Sequence, residues 1–243
     1  MSIQMDITQN GTTTLATAGK YCDKNIDVHV EVDDTPAYEA GMQAEYDRFW
    51  DAYQENGTRT DYRYAFYGIG WTDETYIPKY PLQVTNAAGM YADTKITKRI
   101  DIDTSACTNF TNTFSSAKAL TTIGTIDTRS AATLNQIFAY MDKLKTIEKL
   151  ILKDDGSQTF SADCFGWDVV LADIVIEGTI GNSVSFRGCY NLTTASATSI
   201  INALSSTTSG FTLTLQSNVK TRFTNAEWSA LVATKPNWTI SLL

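Results

Sequence analysis

Phe114-Ser-Ser-Ala-Lys-Ala-Leu120-Thr-Thr-Ile123, Phe138-Ala-Tyr-Met-Asp-Lys-Leu144-Lys-Thr-Ile147 and Phe165-Gly-Trp-Asp-Val-Val-Leu171-Ala-Asp-Ile174 share one pattern, Phe-x5-Leu-x2-Ile, at intervals of 24 and 27 residues. Weaker copies at Met90/Ile96 and at Phe186/Leu192 with Ala195 flank it, and Phe66 begins one earlier unit. A unit of this size, with one aromatic and two aliphatics, cannot bury its apolar face alone and must stack on its neighbours. The pattern therefore predicts a β-rich α+β chain whose middle is a β-solenoid. In each unit the aliphatic pair opens a short strand, as in Leu171–Ile176, and turn or short-helix segments lead into each Phe.

Outward from the repeat, four segments follow. Residues 1–34 read as a small antiparallel β module, because Asn10-Gly11 is a two-residue hairpin signal and Ile26, Val28, Val30 and Val32 alternate with polar residues. Residues 35–57 hold one amphipathic helix over roughly 36–55, opened by Thr35-Pro36 and stopped by Asn56-Gly57. Its stripe of Tyr38, Met42, Tyr46, Phe49 and Tyr53 reads as a face packed on the next domain; the alternative, a short coiled-coil seam, would make the chain a homotrimer. Residues 58–200 are the solenoid. Residues 201–243 form a C-terminal cap, with strand-like alternation at Phe211/Leu213/Leu215 and Trp238/Ile240/Leu242 around the capping-box spacing Thr224-x-x-Glu227.

Composition narrows the function. The net charge is −8, from 27 acidic and 19 basic residues without a basic cluster, which excludes a phosphate-backbone partner. Apolar runs of about four residues, as at 169–172, exclude membrane insertion. Threonine, 36 of the 243 residues, favours strands, turns and caps. The four cysteines (Cys22, Cys107, Cys164, Cys189) lack CxxC spacing and His29 is the one histidine, so no zinc site or other cofactor is expected and the thiols read as free and buried. With neither a nucleophile elbow nor a phosphate-binding glycine pattern, the chain is not expected to be an enzyme; a glycosidase-type carboxylate pair is the alternative. The opening Met1-Ser-Ile-Gln-Met-Asp has no basic or apolar signal region, which predicts synthesis in a cytoplasm.

Two sets of side chains stand in register with the repeat. Asp103, Asp127 and Asp154 each precede a Phe by eleven residues; they read as turn or cap aspartates, with a cation-binding row as the alternative. Tyr140, Trp167 and Tyr190 lie between the Phe and Leu positions and are candidates for surface contact with a protein or sugar, against packing between adjacent units.

The string Phe186-Arg-Gly-Cys-Tyr-Asn-Leu192-Thr-Thr and the turn Phe114–Ile123 resemble BspA-like leucine-rich repeats, Phe-x-Gly-Cys-x-x-Leu-x-x-Ile. The likeness covers roughly residues 60–200 and implies a leucine-rich-repeat-like solenoid used for contact and adhesion. Residues 44–83 are similar to repeat proteins of bacteriophages and prophages of gut Firmicutes, and Ile7–Thr12 with Lys20–Val28 resembles a small module of tail-associated phage proteins. The resemblance implies a tail-associated virion component that contacts other virion proteins and a host-surface protein or glycan. A bacterial surface adhesin with the same repeats is the alternative, and a glycan-degrading enzyme a more distant one.

Overall fold

The computed structural model describes residues 4–9, 12–17, 59–68, 83–97, 100, 102–168 and 170–243, and the chain divides into two units, Met1–Glu39 and Ala40–Leu243. In the first unit, strands β1 (Gln4–Gln9) and β2 (Thr12–Thr17) pair antiparallel from Gln4↔Thr17 to Gln9↔Thr12, on either side of the Asn10-Gly11 hairpin signal. Cys22, the Ile26–Val32 alternation with His29, and the 36–55 helix lie outside the described residues.

The second unit is organised by its aromatic side chains. Phe66, Tyr91, Phe114, Phe138, Phe165 and Phe186 are buried and stack in that order, with successive ring centroids 5.0, 5.5, 5.9, 5.4 and 4.3 Å apart and planes within 24° of parallel. The backbone repeats with the rings. The N–H groups of Phe66, Tyr91, Phe114 and Phe138 donate to the carbonyls of Met90, Thr113, Ile137 and Cys164, in each case the residue just before the next ring. Tyr91, and not Met90, therefore holds the aromatic position in the earlier copy, and Met90 is buried beside it.

The aliphatic half of the pattern forms strands. β3 (Thr122–Asp127), β5 (Thr146–Ile151) and β7 (Asp173–Glu177) make a parallel sheet that aligns Ile123, Ile147 and Ile174. Between them run β4 (Thr133–Leu134) and β6 (Thr159–Phe160), a second parallel pair. A third parallel sheet takes β8 (Val184–Ser185), β9 (Phe211–Leu215) and β10 (Trp238–Leu242), aligning Val184, Leu213 and Ile240.

This corrects the expected architecture. The described residues form small parallel sheets of three, two and three strands with three short helices, and no leucine-rich-repeat-like solenoid is detected. Two physical reasons are visible. The rings recur at 25, 23, 24, 27 and 21 residues, so the strands cannot keep one register, and the β5–β7 pairing slips between Ile147 and Leu150. The segments around the rings are also not helical; they are tight turns that enter left-handed backbone twice, once before the ring and once after it, as at Asn112 and Ser116 or Gln136 and Tyr140.

Where the β3–β5–β7 sheet would take a fourth strand, helix α1 (Thr194–Ala203) lies instead. The N–H groups of Ile174 and Ile176 donate to Ser196 Oγ and Ser199 Oγ, both at 2.9 Å, so the outer edge of β7 is satisfied by hydroxyls. Thr193 caps that helix by accepting from the Ser196 N–H. The C-terminal region follows its sequence pattern closely. After α2 (Ser217–Lys220), helix α3 (Asn225–Ala233) opens on a complete capping box, with the Thr224 N–H donating to Glu227 at 2.8 Å and the Glu227 N–H to Thr224 Oγ1 at 3.2 Å. Trp238, at the start of β10, is buried and donates its indole N–H to the Ser205 carbonyl at 2.9 Å.

Phe138 has a ring on each face, so Phe138→Ala is expected to lower unfolding free energy by about 3–5 kcal/mol in a denaturant titration. Ser196→Ala leaves the buried Ile174 N–H without its acceptor and should lose about 1–3 kcal/mol by the same measurement.

Candidate functional site

Each ring of the ladder lies inside a turn, and the outward positions of those turns form the candidate site. Gly68, Asp93, Ser116, Tyr140 and Trp167 occupy equivalent places, because the N–H groups of Gly68, Asp93, Ser116 and Tyr140 donate to Ala92, Ser115, Ala139 and Gly166, each the residue before the next position. All five have positive φ, as has Gly188, whose backbone lies against Trp167: a Cβ there would meet Trp167 N at 2.9 Å and Cα at 3.0 Å. Glycine adopts this conformation freely and Asp at little cost; Ser and large aromatic residues hold it under strain of order 1–3 kcal/mol. Tyr140 (φ 62°) and Trp167 (φ 68°) nevertheless stand side by side there, 40% and 50% exposed.

Tyr190 is 44% exposed in the following turn, its own N–H donating to the Gly188 carbonyl. Its carbonyl accepts from Asn218 Nδ2 at 2.7 Å and Arg222 Nη2 at 2.9 Å, which ties this turn to the C-terminal region. Two ion pairs flank the rings at the same turns, Arg187–Asp163 at 2.5 Å and Lys118–Asp142 at 3.9 Å. Sequence reasoning missed a second aromatic group at the early end of the turns. Tyr64 (φ 56°) and Tyr67 are 64% and 54% exposed and meet edge to face at 5.8 Å. A hydrogen bond to the Asp93 carboxylate, with its charge, raises the Tyr67 hydroxyl above its ordinary value. The period did not reveal this pair because Phe66 was the one aromatic read there as a repeat residue.

Asp168 supports the Tyr140–Trp167 pair from beneath. It is fully buried and accepts the Met141 N–H at 3.0 Å, so it joins the residue after Tyr140 to the residue after Trp167. Its other oxygen has no hydrogen-bond partner among the described residues. Burial pushes this carboxyl well above the usual carboxylate range, against the smaller opposing pull of the Met141 N–H.

The aspartates resolve into local turns. Asp103 accepts from the Ser105 N–H and Oγ at 3.0 and 2.7 Å. Asp127 accepts from the Arg129 N–H at 3.1 Å and pairs with its guanidinium at 2.6 Å, which holds that carboxyl below its ordinary value. In the third unit Asp155, one residue past the predicted Asp154, makes the turn by accepting the Ser157 N–H at 2.9 Å. Each carboxylate is thus occupied by the backbone two residues on. Among the described residues no three His, Cys, Asp or Glu side chains gather where a metal ion could be held.

Cys107, Cys164 and Cys189 are free and buried. Burial raises the Cys107 thiol to about 11 and raises those of Cys164 and Cys189 as well. A groove of about 800 Å³ between α1 and α3 includes Thr198, Asn202, Arg222, Phe223 and Glu227. Its charged groups are committed elsewhere, Glu227 to the capping box and Arg222 to the Tyr190 and Leu192 carbonyls.

Compared with known proteins, the chain matches no family model, no curated protein and no solved structure.

Because the folded-state pKa of Asp168 is raised, the folded chain keeps a proton that the unfolded chain releases near pH ~3.9. The stability this contributes is full below that pH and is lost as pH rises through the folded value. Asp168→Asn, which cannot ionise, should melt at a higher temperature than the native chain, with a gap that is small near pH ~4 and widens as pH rises. A gap independent of pH would show that the carboxyl is not desolvated. For the thiols, iodoacetamide applied to the folded chain at pH ~8 should leave Cys107, Cys164 and Cys189 unmodified in peptide mass maps until denaturant is added.

Proposed function

We propose that this chain is a contact protein of a phage particle, a tail-associated virion component that attaches to the host surface through the Tyr140–Trp167 face. The observation that carries the contact role is the left-handed backbone of two exposed aromatic residues at positions where neighbouring turns place Gly68, Asp93, Ser116 and Gly188. Rings left 40% and 50% exposed return less burial for that strain than the fully buried rings of the stack do, and an outlier of this kind is a recognised mark of a functional position. Large amphipathic rings with few rotatable bonds are also the side chains that dominate recognition surfaces. The phage setting is supported by the sequence resemblance of residues 44–83 and of the N-terminal module.

The test separates contact from packing. Replacing Tyr140 and Trp167 together by Gly relieves the backbone, so the double variant should melt no lower than the native chain, whereas rings needed for packing would lower it by several degrees. The fluorescently labelled native chain should sediment with intact cells of at least one gut Firmicutes strain, and the double variant should lose at least ~90% of that binding at equal concentration, about tenfold in affinity. Equal binding by both chains, or release of sugar from the cells by the native chain, would overturn the reading.

A further inference from the structure

Resting on the contact reading just given, we propose that the Tyr140–Trp167 face takes a neutral carbohydrate chain. The chemistry of the face differs from that of a protein-binding hot spot. Protein interfaces have desolvated cores depleted of charge, in which aromatic anchors fit into apolar surroundings. Here the rings stand at the same turns as two exposed ion pairs, Arg187–Asp163 and Lys118–Asp142. Among the described residues, the large exposed hydrophobic side chains of these turns are aromatic: Tyr140, Trp167 and Tyr190 here, Tyr64 and Tyr67 farther along.

A sugar ring presents an apolar C–H face edged by hydroxyls. The first suits a flat aromatic ring; the second suits carboxylates and a guanidinium, which accept and donate paired hydrogen bonds in one plane. Tyr140 and Trp167 lie on adjacent parallel segments joined by the Tyr140 N–H to Gly166 carbonyl bond of 2.8 Å, so their attachment points are about one strand spacing apart, ~4.8 Å. Their backbones are fixed in advance, by that bond and by the Asp168 bond to Met141, which lowers the ordering penalty that makes weakly apolar ligands hard to hold. Charge selects among glycans. A chain of net charge −8 repels polyanions such as phosphate-rich wall polymers, and neutral sugars escape that repulsion.

The test uses the full chain and the same cells. Periodate oxidation of the cells, which cleaves sugar diols, should abolish binding of the labelled chain, and protease treatment should leave it unchanged. The neutral, protein-free polysaccharide released from those cells should shift the tryptophan fluorescence of the native chain, with affinity at least tenfold weaker for Trp167→Gly. Trp167→Phe, which keeps a ring, should retain most of the affinity, read by competition with labelled native chain. Loss of binding on protease treatment with survival after periodate, or preferential binding of the anionic polysaccharide fraction, would overturn the carbohydrate proposal while leaving the contact reading intact; equal affinity of the native and Trp167→Gly chains would overturn the carbohydrate proposal and count against the face on which the contact reading rests. Failure of the native chain to bind any untreated cells would remove both.

Discussion

Near-parallel stacking of Phe66, Tyr91, Phe114, Phe138, Phe165 and Phe186 is the contact on which the second unit depends. Each ring fills the space between its neighbours at separations close to those that offset aromatic pairs prefer, and each is withdrawn from water. The stack also fixes the backbone. The N–H groups of Phe66, Tyr91, Phe114 and Phe138 each bond to the residue before the next ring, so sliding one of these segments by a residue would break the hydrogen bonds and the stacking together. Turns on the outer side of the rings then have little freedom, and their left-handed positions recur at matching places.

That recurrence gives the surface its meaning. The fold requires positive φ at these places and the sequence supplies residues that accept it at three of them, glycine at 68 and 188 and Asp at 93, with a small side chain, Ser, at 116. Tyr140 and Trp167 are the departures. They raise the free energy of the folded chain, as does the buried carboxyl of Asp168 beneath them. Three unfavourable choices thus fall within one pair of adjacent turns, beside the exposed rings.

Legibility from sequence followed the range of the physics. The repeat and its buried Phe, Leu and Ile were readable because burial selects residue type at a fixed interval. The capping box at Thr224 was readable because it is a contact within four residues. The architecture was misread because an interval constrains which residues are buried but not whether the strands between them join into one sheet; the slip at Ile147 and the replacement of a strand by helix α1 depend on pairing over more than twenty residues. Tyr91 was missed for Met90 because both are apolar neighbours and only the stacked geometry chooses between them. Of the site, exposure at Tyr140, Trp167 and Tyr190 was anticipated as one of two options, whereas positive φ at Tyr140 and Trp167 and burial of Asp168 were not, since neither torsion angles nor the depth of an acidic residue has a one-letter signature.

The serine hydroxyls of helix α1 that receive the N–H groups of β7 have a consequence beyond this sheet. A parallel sheet with a bare edge can recruit a strand from another molecule, and chains held close together polymerise by that route. A helix that offers two side-chain oxygens, and no run of backbone carbonyls, stops that growth at this edge. The pair Ser196 and Ser199 thus acts as a chain terminator for β-pairing, written in two hydroxyl groups three residues apart.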